Sequence, residues 1–122
     1  MTTQTLRTFT LIDTTADLDA LFERSQSEPV VIFKHSPTCG TSAQAYDELA
    51  SYLLEDGSLE VHLVDVLRSR ALSQALAARA QVRHESPQLL VLQGGTVRWH
   101  GSHWKVTADA VRAAVNPAQA RG

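Results

Sequence analysis

A run of four apolar residues, Val30-Val31-Ile32-Phe33, leads through Lys34-His35 to Ser36-Pro37 and then to Cys39, the single cysteine in 122 residues. The run is a buried-strand candidate. Ser36-Pro37 closes it, because proline cannot continue a ladder and holds its predecessor in extended geometry. From Gly40 to Glu55 apolar residues recur at Ala43, Tyr46, Leu49, Ala50, Leu53 and Leu54, the three-and-four spacing of an amphipathic helix. A lone thiol therefore stands where a strand passes into a helix.

The rest of the chain supplies a context of the same kind. Phe9-Thr10-Leu11-Ile12 is a weak first strand, and Asp13-Thr14-Thr15 offers N-caps for a helix with Leu18, Leu21 and Phe22 on one face, stopping before Pro29. After the central pair, Asp56-Gly57 offers a left-handed helix end, and Leu59 to Val66 reads as a strand through its β-formers. Ser69 opens a third helix with Leu72, Ala75, Leu76 and Ala80 inward, ending near Val82. Ser86-Pro87 precedes an apolar strand from Gln88 to Gln93. The turn Gly94-Gly95 joins it to a strand from Thr96 to His100, forming a hairpin. The last helix follows Thr107, with Ala110, Val111, Ala114 and Val115 as its stripe, and ends at Asn116-Pro117. The order is β-α-β-α-β-α-β-β-α, which predicts an α/β domain over residues 1–117: three right-handed crossovers feed a mixed sheet of four to five strands flanked by four helices. Residues 118–122 read as a short tail.

Composition excludes several function classes. A formal charge of −2 with no Lys/Arg block lacks the basic stripe that nucleic-acid binding requires. The longest uninterrupted apolar stretches are four residues, against roughly 20 for a membrane span, and no basic-then-apolar leader pattern opens the chain. A cytoplasmic protein without nucleic-acid or membrane partners is the expectation. One cysteine leaves no internal disulfide and no multi-cysteine metal site, so Cys39 acts alone or with an outside partner.

At a helix N-terminus, unpaired backbone N–H groups and the positive end of the macrodipole favour an anion, and the thiolate is the reactive form of cysteine. Free cysteine is also among the most buried residue types, which is the competing reading. The small and polar flanks Ser36, Pro37, Thr38, Gly40, Thr41 and Ser42 are poor core material and favour a reactive thiol. Lys34 and His35 lie just upstream, and strand alternation turns at most one of them towards Cys39. Ser42, on the same side of the first turn, is placed to donate to the sulfur. It cannot form a disulfide, so a mixed disulfide on Cys39 falls to an external thiol.

Two further groups stand out. Arg83-His84-Glu85-Ser86-Pro87 places a proline at the start of a buried strand, where the X-Pro bond is open to the cis form, although a trans loop end is commoner. Trp99-His100-Gly101-Ser102-His103-Trp104-Lys105 gathers both tryptophans and two of five histidines. With no carboxylate among them, this segment is a poor metal site; it reads instead as a polar rim of His103 and Lys105 near a ligand, or as a solvated loop with Trp99 or Trp104 packed under it. His62 alternates with inward Val61 and Leu63 and is expected to face outward. Asp65 is a helix cap or a pocket wall.

These residues carry a resemblance spanning about Leu18 to Val115. The element order looks like the thioredoxin fold. The combination of Phe33-Lys34-His35-Ser36, Thr38-Cys39 with Ser42, His84-Glu85-Ser86-Pro87, and Trp99-His100 through Ser102-His103-Trp104-Lys105 resembles the monothiol bacilliredoxin family. The resemblance implies thiol-disulfide exchange with bacillithiol, a low-molecular-weight thiol that replaces glutathione in some bacteria. Bacillithiol would be the co-substrate, with no bound cofactor or metal. S-bacillithiolated proteins would be the substrates and a flavin-dependent bacillithiol disulfide reductase the recycling partner. Cys39 and Ser42 would form the catalytic pair, and Pro87 would be a cis-proline facing the nucleophile. Thr38, Gly40, Ser86, His103, Trp104 and Lys105 would contact substrate, with Lys34 and His35 in support. The family's usual Cys-Pro-Ile-Ser is here Cys39-Gly40-Thr41-Ser42. Cys-Gly-x-Ser is similar to monothiol glutaredoxins, some of which bridge an iron-sulfur cluster with glutathione; that carrier role, or a non-catalytic thioredoxin-like binding module, is the alternative.

Overall fold

The computed structural model describes residues 9–54 and 59–116. Among these, the elements run β1 (Thr10–Leu11), α1 (Thr15–Arg24), β2 (Val30–His35), α2 (Gly40–Leu49) with a π-helical turn at Ala50–Leu54, β3 (Val61–Asp65), α3 (Arg70–Ala80), β4 (Gln88–Gln93), β5 (Thr96–Ser102), a 3₁₀ turn (His103–Lys105) and α4 (Ala108–Val115). The strands form one sheet in the order β1-β3-β2-β4-β5. This is the thioredoxin-like arrangement. Asp56-Gly57, Pro117 and the tail lie outside the described residues.

The sheet is covered on both faces, which explains the near-continuous apolar runs of its inner strands. Val31, Phe33, Val61, Leu63, Leu89 and Val91 pack with Ala45 and Leu49 of α2 and Val111 and Ala114 of α4. Val30, Ile32, Val64, Leu90 and Leu92 pack with Leu18, Leu21 and Phe22 of α1 and Leu72 and Leu76 of α3. Each fully buried aliphatic side chain contributes about 2 kcal/mol through the area it removes from water.

Local chemistry sets the element ends. Thr14 caps α1 in a reciprocal box: its hydroxyl accepts from Asp17 N–H at 3.0 Å, and the Asp17 carboxylate accepts from Thr14 N–H at 3.2 Å. Gly94 and Gly95, at φ +68° and +80°, supply the left-handed pair that closes the β4–β5 hairpin. Thr107 caps α4, and the Glu48 carboxylate accepts from Ala108 N–H at 2.8 Å, tying α4 to α2.

The structure corrects several details of the sequence reading. β2 is parallel to β3, and β3 to β1, but β4 is antiparallel to β2. The third connection therefore does not return a parallel strand, and the expected three crossovers become two. α2 ends at Leu49, and its inward stripe is Ser42, Ala45 and Leu49 rather than one containing exposed Ala43. Alanines at many positions leave the helical phase weakly marked, and the buried serine shifts it. α3 buries Ser73 beside Leu72 and Leu76, and α4 buries Ala108 with Val111 and Ala114, leaving Ala75, Ala80, Ala110 and Val115 partly covered.

His62 does not face outward; it is buried under the α1 side of the sheet. Its Nε2 accepts from Arg24 Nη2 at 3.0 Å, so the ring proton belongs on Nδ1, which is buried without a hydrogen-bond partner. Burial, only partly opposed by Glu60, holds its pKa below the usual histidine value.

Candidate active site

Cys39 is the N-cap of α2, half-buried, with extended backbone at φ −104°. The chain makes a tight turn out of β2, in which Cys39 N–H donates to Ser36 C=O at 3.1 Å, and Ala43 N–H then donates to Cys39 C=O at 2.9 Å. No side-chain hydrogen bond caps this helix end, which leaves the positive end of the α2 dipole at Cys39. A Cβ built on Gly40 meets nothing within 4 Å, so the position after the thiol is open on its outer side.

Ser42 lies beneath this turn with no exposure. Its oxygen accepts from Ser36 N–H at 2.9 Å and sits 2.7 Å from His35 Nδ1. In the Nε2–H tautomer of His35 the Ser42 proton goes to Nδ1; in the Nδ1–H tautomer Ser42 accepts from the ring. His35 stacks between Phe33 and Tyr46, with ring centroids 5.5 and 5.0 Å away. Burial lowers its pKa, partly opposed by the Asp65 carboxylate, so near neutrality it is the uncharged imidazole. Asp65 itself accepts from Leu67 and Arg68 N–H at 3.0 Å each and so caps the turn after β3.

Lys34, one residue earlier in the strand, takes the opposite face. It is fully buried, and its ammonium donates to the Ser73 carbonyl of α3 at 3.3 Å. Desolvation pushes its pKa down to about 8. Lys34 and His35 thus diverge: the histidine lies on the α2 side with Ser42, the lysine on the α3 side.

The Ser86–Pro87 bond is cis. His103 N–H donates to Pro87 C=O at 2.9 Å, which joins the proline loop to the 3₁₀ turn. His103, Trp104 and Lys105 are all exposed, Trp104 by 76%. His103 and Trp104 line a cavity of about 100 Å³ with Thr41 and Gln44 of α2. The loop expected around Trp99 is in part strand, because β5 continues to Ser102. Gly101 is essential there: a Cβ would lie 2.7 Å from the Trp99 ring and 3.1 Å from Lys105 Cβ. Thr38 and Gly40 flank the thiol on the exposed surface.

The structure therefore brings the Cys39 turn, His35 and Ser42 together, and links the Pro87 loop to His103. Sequence reading missed the residues on the α3 side. Ser36, Arg70, Ser73, Gln74, His84 and Ser86 line a cavity of about 330 Å³ that begins at the foot of the Cys39 turn and at the residue before Pro87. Only Ser36, His84 and Ser86 belong to segments marked by the sequence.

A thioredoxin fold with one cysteine at the head of its second helix, a buried serine three residues on and a cis-proline loop defines a monothiol thiol-disulfide oxidoreductase. A family model described as monothiol bacilliredoxin BrxC matches residues 10–111, and the chain belongs to that family. Among solved structures, a protein provisionally described as an oxidoreductase with a thioredoxin fold is 27% identical, with TM-score 0.77 over 86% of this chain and 91% of the other. A point mutant of a thioredoxin from Halobacterium salinarum is 17% identical, TM-score 0.70, over 95% of both chains. A thioredoxin from Trypanosoma brucei brucei is 10% identical, TM-score 0.71, over 98% and 97%. The last two share the fold. The described residues contain no group of three or more His, Cys, Asp or Glu side chains able to hold a metal ion, and the family match favours exchange over the iron-sulfur alternative. No helix among them is long and apolar enough to cross a membrane.

Proposed function

We propose that Cys39 removes bacillithiol from S-bacillithiolated proteins. The thiolate attacks the bacillithiol sulfur of the mixed disulfide. A bond forms between Cys39 Sγ and that sulfur, the original S–S bond breaks, and the protein leaves as its thiolate, which takes a proton from solvent. A second bacillithiol thiolate then attacks the bacillithiol sulfur on Cys39, releasing Cys39 and bacillithiol disulfide. A separate flavin-dependent reductase returns that disulfide to two thiols, in the cytoplasm. Ser86 offers backbone groups to the substrate disulfide beside Pro87; Thr38 and Gly40 border the sulfur; His103, Trp104 and Lys105 form the outer wall. Ser42 and His35 hold the Cys39 turn from beneath.

The observation that supports this reading most is the position of the lone Cys39 at the uncapped head of α2 in a chain of the monothiol bacilliredoxin family. Incubating the purified protein with bacillithiol disulfide should add one bacillithiol to its intact mass. Absence of the adduct, or its persistence in Cys39→Ser, refutes the proposal.

A further inference from the structure

The cavity of about 330 Å³ on the α3 side is larger than a sulfur exchange requires and falls in the size range of small-molecule sites. Ser36, three residues before Cys39, and Ser86, next to cis-Pro87, both line it, so it adjoins the two loops that carry the thiol and the proline. Its charge is one-sided. Arg70 and His84 line it, and no acidic residue is among the lining residues described. Two carboxylates border this region: Glu85 accepts from Ser102 Oγ and acts on His84, and Asp65 accepts from Leu67 and Arg68 N–H.

Behind the wall stands Lys34, fully buried, with three donors to satisfy and a carbonyl at 3.3 Å for one of them. That carbonyl belongs to Ser73, whose hydroxyl lies 3.2 Å from His84 Nδ1, so lysine, serine and histidine form one connected group of which Ser73 and His84 line the cavity. Among the described residues neither Lys34 nor Arg70 has a carboxylate within salt-bridge distance. An ammonium removed from water without a counter-ion is costly, and a ligand carboxylate entering the cavity offsets that cost.

We propose that this cavity receives the carboxylate-bearing end of the low-molecular-weight thiol whose sulfur is exchanged at Cys39, with Arg70 and His84 at its rim and Lys34 supplying positive potential from beneath. The inference rests on the exchange reading above for the identity of the thiol, but the binding of a carboxylate can be tested without it.

Succinate serves as the probe, with 1,4-butanediol as its neutral match. In ¹⁵N-labelled protein, succinate should shift the backbone amides of Ser36, Ser73 and Ser86 saturably, the diol should not, and Arg70→Gln should weaken the affinity about tenfold, the loss of one charge-assisted contact. Arg70 is exposed, so its replacement leaves the core intact. In turnover, the ratio of kcat/KM for bacillithiol to that for neutral 2-hydroxyethyl disulfide should fall by a similar factor in Arg70→Gln. Succinate and diol acting alike, or Arg70→Gln binding succinate as tightly as the wild type, would overturn the inference. If succinate binds as described while Cys39 takes up no bacillithiol, the carboxylate site stands and the exchange reading falls. If the adduct forms with no preference for carboxylate, exchange stands and this site falls.

Discussion

Replacing Lys34 by methionine isolates the effect of burying an ammonium inside a β-strand. The side chain keeps nearly its length and volume, so packing between β2 and α3 changes little. What changes is electrostatic. The folded-state pKa of Lys34 is about 8, below its ordinary 10.5, and desolvation is the cause. Between those values the unfolded chain binds more protons than the folded one, so Lys34 makes folding stability rise with pH across that window; below about pH 8 its full penalty applies. A shift of this size is worth about 3 kcal/mol, and local relaxation around the ammonium reduces the effective penalty to roughly 2. Losing the hydrogen bond to Ser73 costs about 1 kcal/mol. Lys34→Met should therefore be more stable than the wild type at pH 7 by roughly 1 kcal/mol, with the gap closing or reversing by pH 10.5. Urea unfolding of both proteins, followed at several pH values from 7 to 10.5, checks this. A stability difference that stays constant over that range would refute the desolvation argument.

Other positions give sharper local tests. Gly40→Ala should stabilise the protein by up to about 1 kcal/mol through helix propensity, because its Cβ enters open space; a loss of stability in thermal unfolding would contradict this. Gly101→Ala, by contrast, should cost about 1–3 kcal/mol, as the Trp99 ring and Lys105 cannot both yield, and denaturation read by tryptophan fluorescence will show it. Thr14→Ala should remove about 1 kcal/mol with the capping box, measurable as a lower urea midpoint. His35, His62 and His84 all have pKa values below the ordinary 6.5, so the unfolded chain takes up protons first and stability should fall as pH drops below about 6.5. His62→Gln should flatten that decline in a urea-midpoint series against pH.

The parts of the fold legible in the sequence were those set by local chemistry. Thr14 announced a helix start, Gly94-Gly95 a hairpin, and the break at Ser36-Pro37 the turn that carries Cys39. What escaped depends on which elements cover which face. His62 alternates with apolar neighbours, yet α1 roofs the face it points to, so alternation could not report its burial. Ala43 and Ala45 differ too little in apolar surface to fix the phase of α2. Lys34 looked like a helper of the thiol because it stands five residues before it, but strand parity sends it to the other layer. Arg70 belongs to no motif, and His84 stood out only as part of the segment before Pro87. They meet only because α3 crosses beside the loop that ends in cis-Pro87.

A serine as the third residue after the nucleophile has a consequence for kinetics. With Ser42 held beneath the Cys39 turn by His35 and Ser36, and no second cysteine in the chain, the resolving step has no first-order route inside the molecule. Under the proposed cycle, the lifetime of the occupied Cys39 is then set by how often a thiol arrives from solution, and turnover scales with the size and reduction state of the surrounding thiol pool. The absence of a second thiol makes the protein a reader of its chemical surroundings.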